Sequence, residues 1–188
     1  LPLQHAADPV LKRMKRPGTR AAYERLLGTI RAAMPDVALR TTFIVGFPGE
    51  TAADVDELTG FLDAVRFDHV GVFTYSHEED TSAFALADDV PAAEKARRRR
   101  LVMARQKRIV AARQKARIGE RARILVDGPA AEHEWVMTGR LPGQAPDIDP
   151  QVFLTDCGPD QVAAGQFLEV EIVGARGYDL IARPVGAG

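Results

Sequence analysis

The stretch Leu39 to Phe47 is a β-branched and apolar run without polar alternation. Such a run suits a strand covered on both faces, and strands of that kind belong to parallel sheets carried by helical crossovers. Pro48-Gly49 ends it as a turn. Thr51 with Asp54 then reads as a capping box, and Val55, Leu58, Leu62 and Val65 form the buried stripe of a helix. His69 to Tyr75 reads as the next strand. Upstream, Pro2-Leu3-Gln4-His5 reads as a strand end, and Asp8-Pro9 opens a short helix with Asp8 as its cap. Pro17-Gly18 breaks that helix. Thr19 caps a second one, on which Tyr23, Leu26, Leu27, Ile30 and Met34 share a face. The order is β–α–β–α–β, which predicts three parallel strands covered by helices over residues 1–90.

At Gly119 the pattern changes. Pro91 to Ile118 reads as one long helix with a thin apolar face of Val102, Ile109, Ala112 and Ala116, and Gly119 stands where a helix-ending glycine belongs. Beyond it, Arg123–Asp127, Glu134–Thr138, Val152–Leu154, Phe167–Val173 and Tyr178–Arg183 read as five short strands. Asp127-Gly128-Pro129, Pro142-Gly143, Gly158-Pro159 and Gly174–Gly177 separate them as turns. Even spacing of short strands predicts a small antiparallel barrel of OB type. The fold class is therefore α/β plus all-β, with boundaries at 1–90, 91–118 and 119–188.

Charge divides along the same boundaries. The 188 residues carry a formal net charge of −1, yet residues 95–117 hold eleven basic side chains and no acid. Residues 1–94 hold nine basic and fifteen acidic side chains, and residues 118–188 hold five and eleven, so each flank is −6. The basic stretch reads either as a solvated helix salted against acidic neighbours or as a contact surface for an anionic partner such as nucleic acid. A content of 46% hydrophobic and 27% charged residues argues against disorder, and no apolar stretch approaches the ~18–20 residues a membrane span needs. No export leader is evident, so a cytoplasmic setting is expected. Cys157 is the single cysteine. It excludes an internal disulfide and, alone, an iron–sulfur or four-ligand zinc site. The chain opens at Leu1 without a methionine and reads as part of a longer one.

The most informative segment is Arg40-Thr41-Thr42-Phe43-Ile44-Val45-Gly46-Phe47-Pro48-Gly49-Glu50-Thr51. In parallel α/β folds, the C-terminal ends of the strands carry the ligand site. Gly46 and Gly49 permit close backbone approach, and the N–H groups where the helix begins at Thr51 suit an anion. A tight βα turn without a ligand accounts for the same residues. Gln4 and His5 and, on the last strand, Phe73 and Tyr75 fall at the same edge. Tyr75 suits stacking on a planar base, or simply a place in the core. His69, His77 and His133 have no partners at metal-ligand spacing, and Glu78-Glu79-Asp80 reads as a solvated loop. There is no nucleophile elbow, P-loop or His-Glu-x-x-His.

Taken together, Pro2-Leu3-Gln4-His5, Val10-Leu11-Lys12-Arg13-Met14-Lys15-Arg16, Arg40–Thr51, Phe73-Thr74-Tyr75-Ser76 and the terminal barrel resemble the radical S-adenosylmethionine methylthiotransferases. The likeness spans essentially the whole chain, and Phe43-Ile44-Val45-Gly46-Phe47-Pro48-Gly49-Glu50-Thr51 is its most specific part. It departs from the superfamily pattern Gly-x-Ile-x-Gly-x-x-Glu in two places. Thr42 stands for the leading glycine, and Glu50 comes one position late. The resemblance implies the C-terminal half of a partial (β/α) radical barrel, a basic linker helix and a TRAM barrel. It also implies two cofactors for the whole enzyme: S-adenosylmethionine, and two 4Fe-4S clusters whose ligands lie outside this segment. The implied cofactor-binding residues are Gln4, His5, Arg40, Thr42, Gly46, Phe73 and Tyr75, with no catalytic and no metal-binding residue in the segment. In such enzymes the cofactors carry the chemistry, and the protein positions and shields.

Two branches of the family compete. One methylthiolates an aspartate of small-subunit ribosomal protein twelve; the other modifies an adenosine of tRNA. Arg16-Pro17-Gly18-Thr19-Arg20, Ala145-Pro146-Asp147-Ile148-Asp149 and Tyr178-Asp179-Leu180 are similar to the first branch. An acidic barrel favours a basic protein over RNA, which points the same way. The expected partner is thus a basic ribosomal protein at the barrel, with the helix 95–117 as a possible contact for ribosomal RNA, and no membrane. A non-catalytic protein- or RNA-binding module is the reading from another class. Because one cysteine cannot ligate a cluster, anaerobic reconstitution of the 188-residue chain with iron and sulfide is expected to leave no stoichiometric iron; a stable cluster on this chain would contradict that.

Overall fold

The structure, a computed structural model, describes residues 1–186 and divides into two compact units, Leu1–Ile109 and Val110–Gly188. The last two residues of the expected 119–188 segment lie outside the described residues. Among the described residues no helix is long and apolar enough to cross a membrane.

The first unit contains α1 (Asp8–Arg13), α2 (Arg20–Ala33), β1 (Arg40–Val45), α3 (Ala52–Val65), β2 (His69–Thr74) and most of α4 (Ala92–Ala116). β1 and β2 pair in parallel, with Thr42 beside Gly71 and Ile44 beside Phe73. Thr41, Phe43 and Val45 alternate onto the face that carries the core. There Phe43 meets Phe61 and Phe67 edge-on at centroid distances of 6.4 and 6.0 Å, a geometry set by the ring quadrupoles. Leu58, Leu62 and Val65 bring α3 onto this cluster, and Val102 and Ile109 bring α4. Thr51 and Asp54 form the anticipated capping box.

Three sequence expectations change here. The first strand is reduced to one bridge between Gln4 and Phe43, because Gln4 has φ 71° and turns the chain out of the extended region. Its backbone N–H donates to Thr42 O and its carbonyl accepts from Ile44 N–H. Asp8 does not cap α1 but lies inside it, after Ala7; its carboxylate accepts from the backbone N–H of Arg20 instead. The apolar face of α4 is not its whole buried face, since Lys95, Arg98 and Gln106 are buried as well.

The second unit contains β3 (Arg121–Ala130), β4 (His133–Arg140), β5 (Val152–Leu154), β6 (Phe167–Arg176) and β7 (Asp179–Pro184). They close in the order β3-β4-β5-β7-β6 around Ile124, Val126, Met137, Val152, Leu154, Val170, Ile172 and Leu180. The strands are mixed rather than all antiparallel, which corrects the antiparallel expectation. β5 runs parallel to β7, with Phe153 beside Ile181. The reason is the connection between β5 and β6. It carries the chain across to β3, so the β6–β7 hairpin returns beside β5 in the same direction. Periodicity reports which residues point inward but not which strands become neighbours.

Gly139 of β4 stands opposite Val126 of β3. A Cβ there would meet the backbone carbonyl oxygen of Leu125 at 2.7 Å and Ile124 Cδ1 at 2.9 Å. Backbone in a paired strand cannot yield to it, so Gly139→Ala is expected to destabilise this unit by about 1–3 kcal/mol, as overpacking does. An unaltered denaturant midpoint for the barrel would contradict this.

Candidate functional site

Two surfaces meet around β1 and β2: the C-terminal edge of the strands, and the sheet face turned away from the core. The edge is closed by the chain itself. Gly46, with φ 75°, begins the Gly46-Phe47-Pro48-Gly49-Glu50 turn, and its N–H donates to Glu50 Oε2 at 2.9 Å. Glu50 is buried, and Arg98 of α4 donates to both its Oε1 and its backbone oxygen, at 2.9 and 2.8 Å. His5 lies on the other side of this carboxylate. Its Nδ1 accepts from Ala7 N–H at 3.0 Å, so the neutral ring carries its proton on Nε2, which stands 3.4 Å from Glu50 Oε2. A Cβ on Gly46 would fall 2.3 Å from Lys95 Cγ, so the glycine makes room for a helix side chain. The N–H groups of Thr51 and Asp54 are taken by the capping box, and that of Gly49 by Asp89.

Tyr75 sits just beyond β2. It packs edge-on against Phe47 at 5.0 Å and hydrogen-bonds His77 Nδ1 at 3.2 Å. Lys95 Nζ lies 5.0 Å from the centre of its ring and pairs with Asp88 at 2.6 Å. Burial, and then the charges of Asp88 and Glu78, hold the Tyr75 phenol above its ordinary pKa. The edge is thus a network of His5, Glu50, Arg98, Lys95, Asp88 and Tyr75. Glu50, Arg98, Lys95 and Asp88 were not among the sequence candidates. The signal for the helix residues was present: Lys95, Arg98, Val102, Gln106 and Ile109 recur at three- and four-residue spacing, so the polar members share the buried stripe.

The opposite sheet face is open. Strand alternation puts Arg40, Thr42 and Ile44 of β1 on it, beside His69, Gly71 and Phe73 of β2. Phe73 is 62% exposed although it is a large apolar side chain. A Cβ on Gly71 would find Phe73 Cε2 at 3.6 Å and Thr42 Oγ1 at 3.8 Å, so the glycine leaves a shallow floor between them. Of the seven candidates, Arg40, Thr42 and Phe73 share this face and half-buried Gln4 borders β1, whereas His5, Gly46 and Tyr75 belong to the edge network. Arg40 opens β1 and Tyr75 follows β2, so they stand at opposite ends of the strand pair, about 20 Å apart along it.

The two surfaces differ in what they contribute to stability. Arg98→Ala leaves Glu50 buried without its cation, and a loss of about 3–5 kcal/mol is expected. Phe73→Ala removes an exposed ring, and a change within about 0.5 kcal/mol is expected. Equal denaturant midpoints for the two variants would contradict this division.

Comparison with known proteins bears on both units. Residues 118–185 match the TRAM domain family. The chain is 44% identical over 181 residues to a ribosomal protein uS12 methylthiotransferase RimO of Sorangium cellulosum, covering 96% of this chain and 36% of that protein. It is 44% identical over 185 residues to the RimO of an Anaeromyxobacter species and 43% identical over 185 residues to that of Myxococcus xanthus, covering 98% of this chain each time and 39% and 38% of those proteins. It therefore spans about two-fifths of the length of the curated relatives it matches. The α/β unit and the barrel together resemble the ribosomal protein uS12 methylthiotransferases, and the barrel is a TRAM domain.

Proposed function

We propose that this chain is the C-terminal portion of a radical S-adenosylmethionine methylthiotransferase that adds a methylthio group to the β-carbon of an aspartate of ribosomal protein uS12, in the cytoplasm. Residues 1–90 then form the last part of the partial barrel, 91–118 the linker helix and 119–188 the TRAM domain. The observation that carries this reading is identity above 40% to several uS12 methylthiotransferases across both units. Two short-motif enzymes fused by chance would match over one unit only.

The open sheet face fits S-adenosylmethionine. Phe73 offers a flat apolar surface, Thr42 a hydroxyl and Arg40 a cation for the carboxylate, over the floor left by Gly71. His5, Gly46 and Tyr75 serve this pocket from the edge, by holding the turn and the strand ends in place. When bound, the cofactor supplies the methyl group and the one-electron chemistry that activates an aliphatic carbon. The residues of this chain orient it and keep water from the reacting centre. They do not fit an iron–sulfur cluster: among the described residues no three potential ligands gather, and Cys157 is the single cysteine. Cluster ligands are assigned outside this segment, and the segment by itself is inactive.

The TRAM barrel carries eleven acids against five arginines. That balance favours a basic protein and disfavours a polyanion. The test is a bacterial strain lacking its own uS12 methylthiotransferase, supplied with the full-length protein that contains this chain. Mass spectrometry of uS12 is expected to show one methylthio group on an aspartate, lost or strongly reduced with Arg40→Ala at unchanged protein level. Unmodified uS12 together with methylthiolated tRNA would transfer the protein to the tRNA branch. Modification unaffected by Arg40→Ala would remove Arg40 from the pocket.

A further inference from the structure

The eight cations of residues 95–108 do not act as one surface, because the helix sorts them by face. Lys95 and Arg98 are buried and hold Asp88 and Glu50. Arg99 Nε donates to Val72 O at 2.9 Å, and Arg105 pairs with Asp63. These four tie α4 to the α/β unit and are not available to a partner. Arg97, Arg100, Lys107 and Arg108 are different. All four are exposed. At 3.6 residues per turn they fall within about 100° of arc, on the side of α4 opposite Val102 and Ile109, and span about 16 Å of its length. Ala104 lies in the middle of the stripe, and no acidic residue occurs on α4 after Glu94. Of these four, only Arg97 makes an ion pair, with Glu94, whose carboxyl is pulled down to about 2 by hydrogen bonds from Arg97 and Arg98. Among the described residues no ion pair engages Arg100, Lys107 or Arg108.

We infer that this stripe is a docking surface for the phosphate backbone of small-subunit ribosomal RNA. The inference rests on the uS12 reading above, since a ribosomal protein substrate is presented on an RNA-rich particle. A single-sign row of long cations around a small residue matches a polyanion that is read by charge and not by sequence. A membrane surface is disfavoured, because the apolar side of the helix is already buried in the α/β core and the stripe has no aromatic residue. The stripe also gives the two surfaces of the molecule separate partners: RNA at the exposed side of α4, and the basic protein at the acidic barrel.

The test uses Arg100→Gln, Lys107→Gln and Arg108→Gln together. Glutamine keeps helix propensity, and the three side chains make no ion pair, so folding is expected to be unchanged by circular dichroism and thermal midpoint. Binding of the 188-residue chain to small-subunit ribosomal RNA transcripts is measured at several salt concentrations, with tRNA as the second polyanion. The triple variant is expected to bind ribosomal RNA at least about tenfold more weakly at low salt, with a log–log salt dependence shallower by about 2–3, as for three lost phosphate contacts. Equal affinities and slopes for wild type and variant would overturn the inference, and so would a wild-type preference for tRNA. A second measurement separates this from the enzymatic reading. The full-length enzyme is given free uS12 and uS12 within intact small subunits. The variant is expected to lose modification of the assembled particle while modifying free uS12 as wild type does. Equal loss on both substrates would overturn the docking role. A wild-type enzyme that modifies neither would overturn the uS12 reading, whatever the RNA-binding result.

Discussion

The buried pair between Arg98 and Glu50 governs how the α/β unit is closed. Glu50 holds the N–H of Gly46 and so fixes the turn that follows β1. Arg98 holds Glu50 by its side chain and its backbone oxygen, and so fixes α4 against that turn. Two charges taken out of water cost several kcal/mol unless every lone pair and proton is matched, and here the guanidinium is shared between two carboxylates and a carbonyl. The alignment is therefore specific: a shift of α4 by one residue would strand a buried charge. The other buried polar groups of α4 act in the same sense, Lys95 on Asp88 and Gln106 on the carbonyl of Phe67.

This arrangement explains why the strand edge and the sheet face have different properties. The edge is held by internal partners, from the Glu50–Arg98 pair to the capping-box N–H groups, although buried His5 Nε2 makes no hydrogen bond. The face holding Arg40, Thr42 and Phe73 instead has an exposed aromatic ring beside a glycine and a hydroxyl, the surface proposed above for S-adenosylmethionine. The same partition runs through the cations of α4. Those facing inward neutralise acids of the α/β unit, and of those facing outward Arg100, Lys107 and Arg108 make no ion pair among the described residues, while Arg97 pairs with Glu94.

Much of the element order was legible without coordinates. The capping box at Thr51, the strand at Arg40–Val45, the long basic helix and the existence of five strands after Gly119 follow from local chemistry, but the turns expected at Asp127-Gly128-Pro129 and from Gly174 lie inside β3 and β6, where Gly128 and Gly174 mark register shifts instead. The seven candidate residues could be placed on neighbouring strands from the sequence, but not their division between the strand edge and the sheet face. Gly46 looked like a place for a ligand to approach, and a lysine side chain occupies that space. Glu50, one position away from the expected pattern, is held by an arginine 48 residues later. Arg98 lay in a run of four arginines that reads as solvent-exposed, and only the periodicity shared with Val102 and Ile109 distinguished it.

The sequence by itself determined the local elements, the resemblance, the single cysteine and the segregation of charge, because each is a property of neighbouring residues or of a count. Only the tertiary structure decided which strands pair and which charges are consumed. β5 lies parallel to β7 because a long connection carries β6 across to β3 first, and no local preference encodes that neighbour. Arg98 and Arg100 are two residues apart and chemically identical, yet one is buried on Glu50 and the other faces water. The helix places them about 200° apart, and the core decides which side is inside.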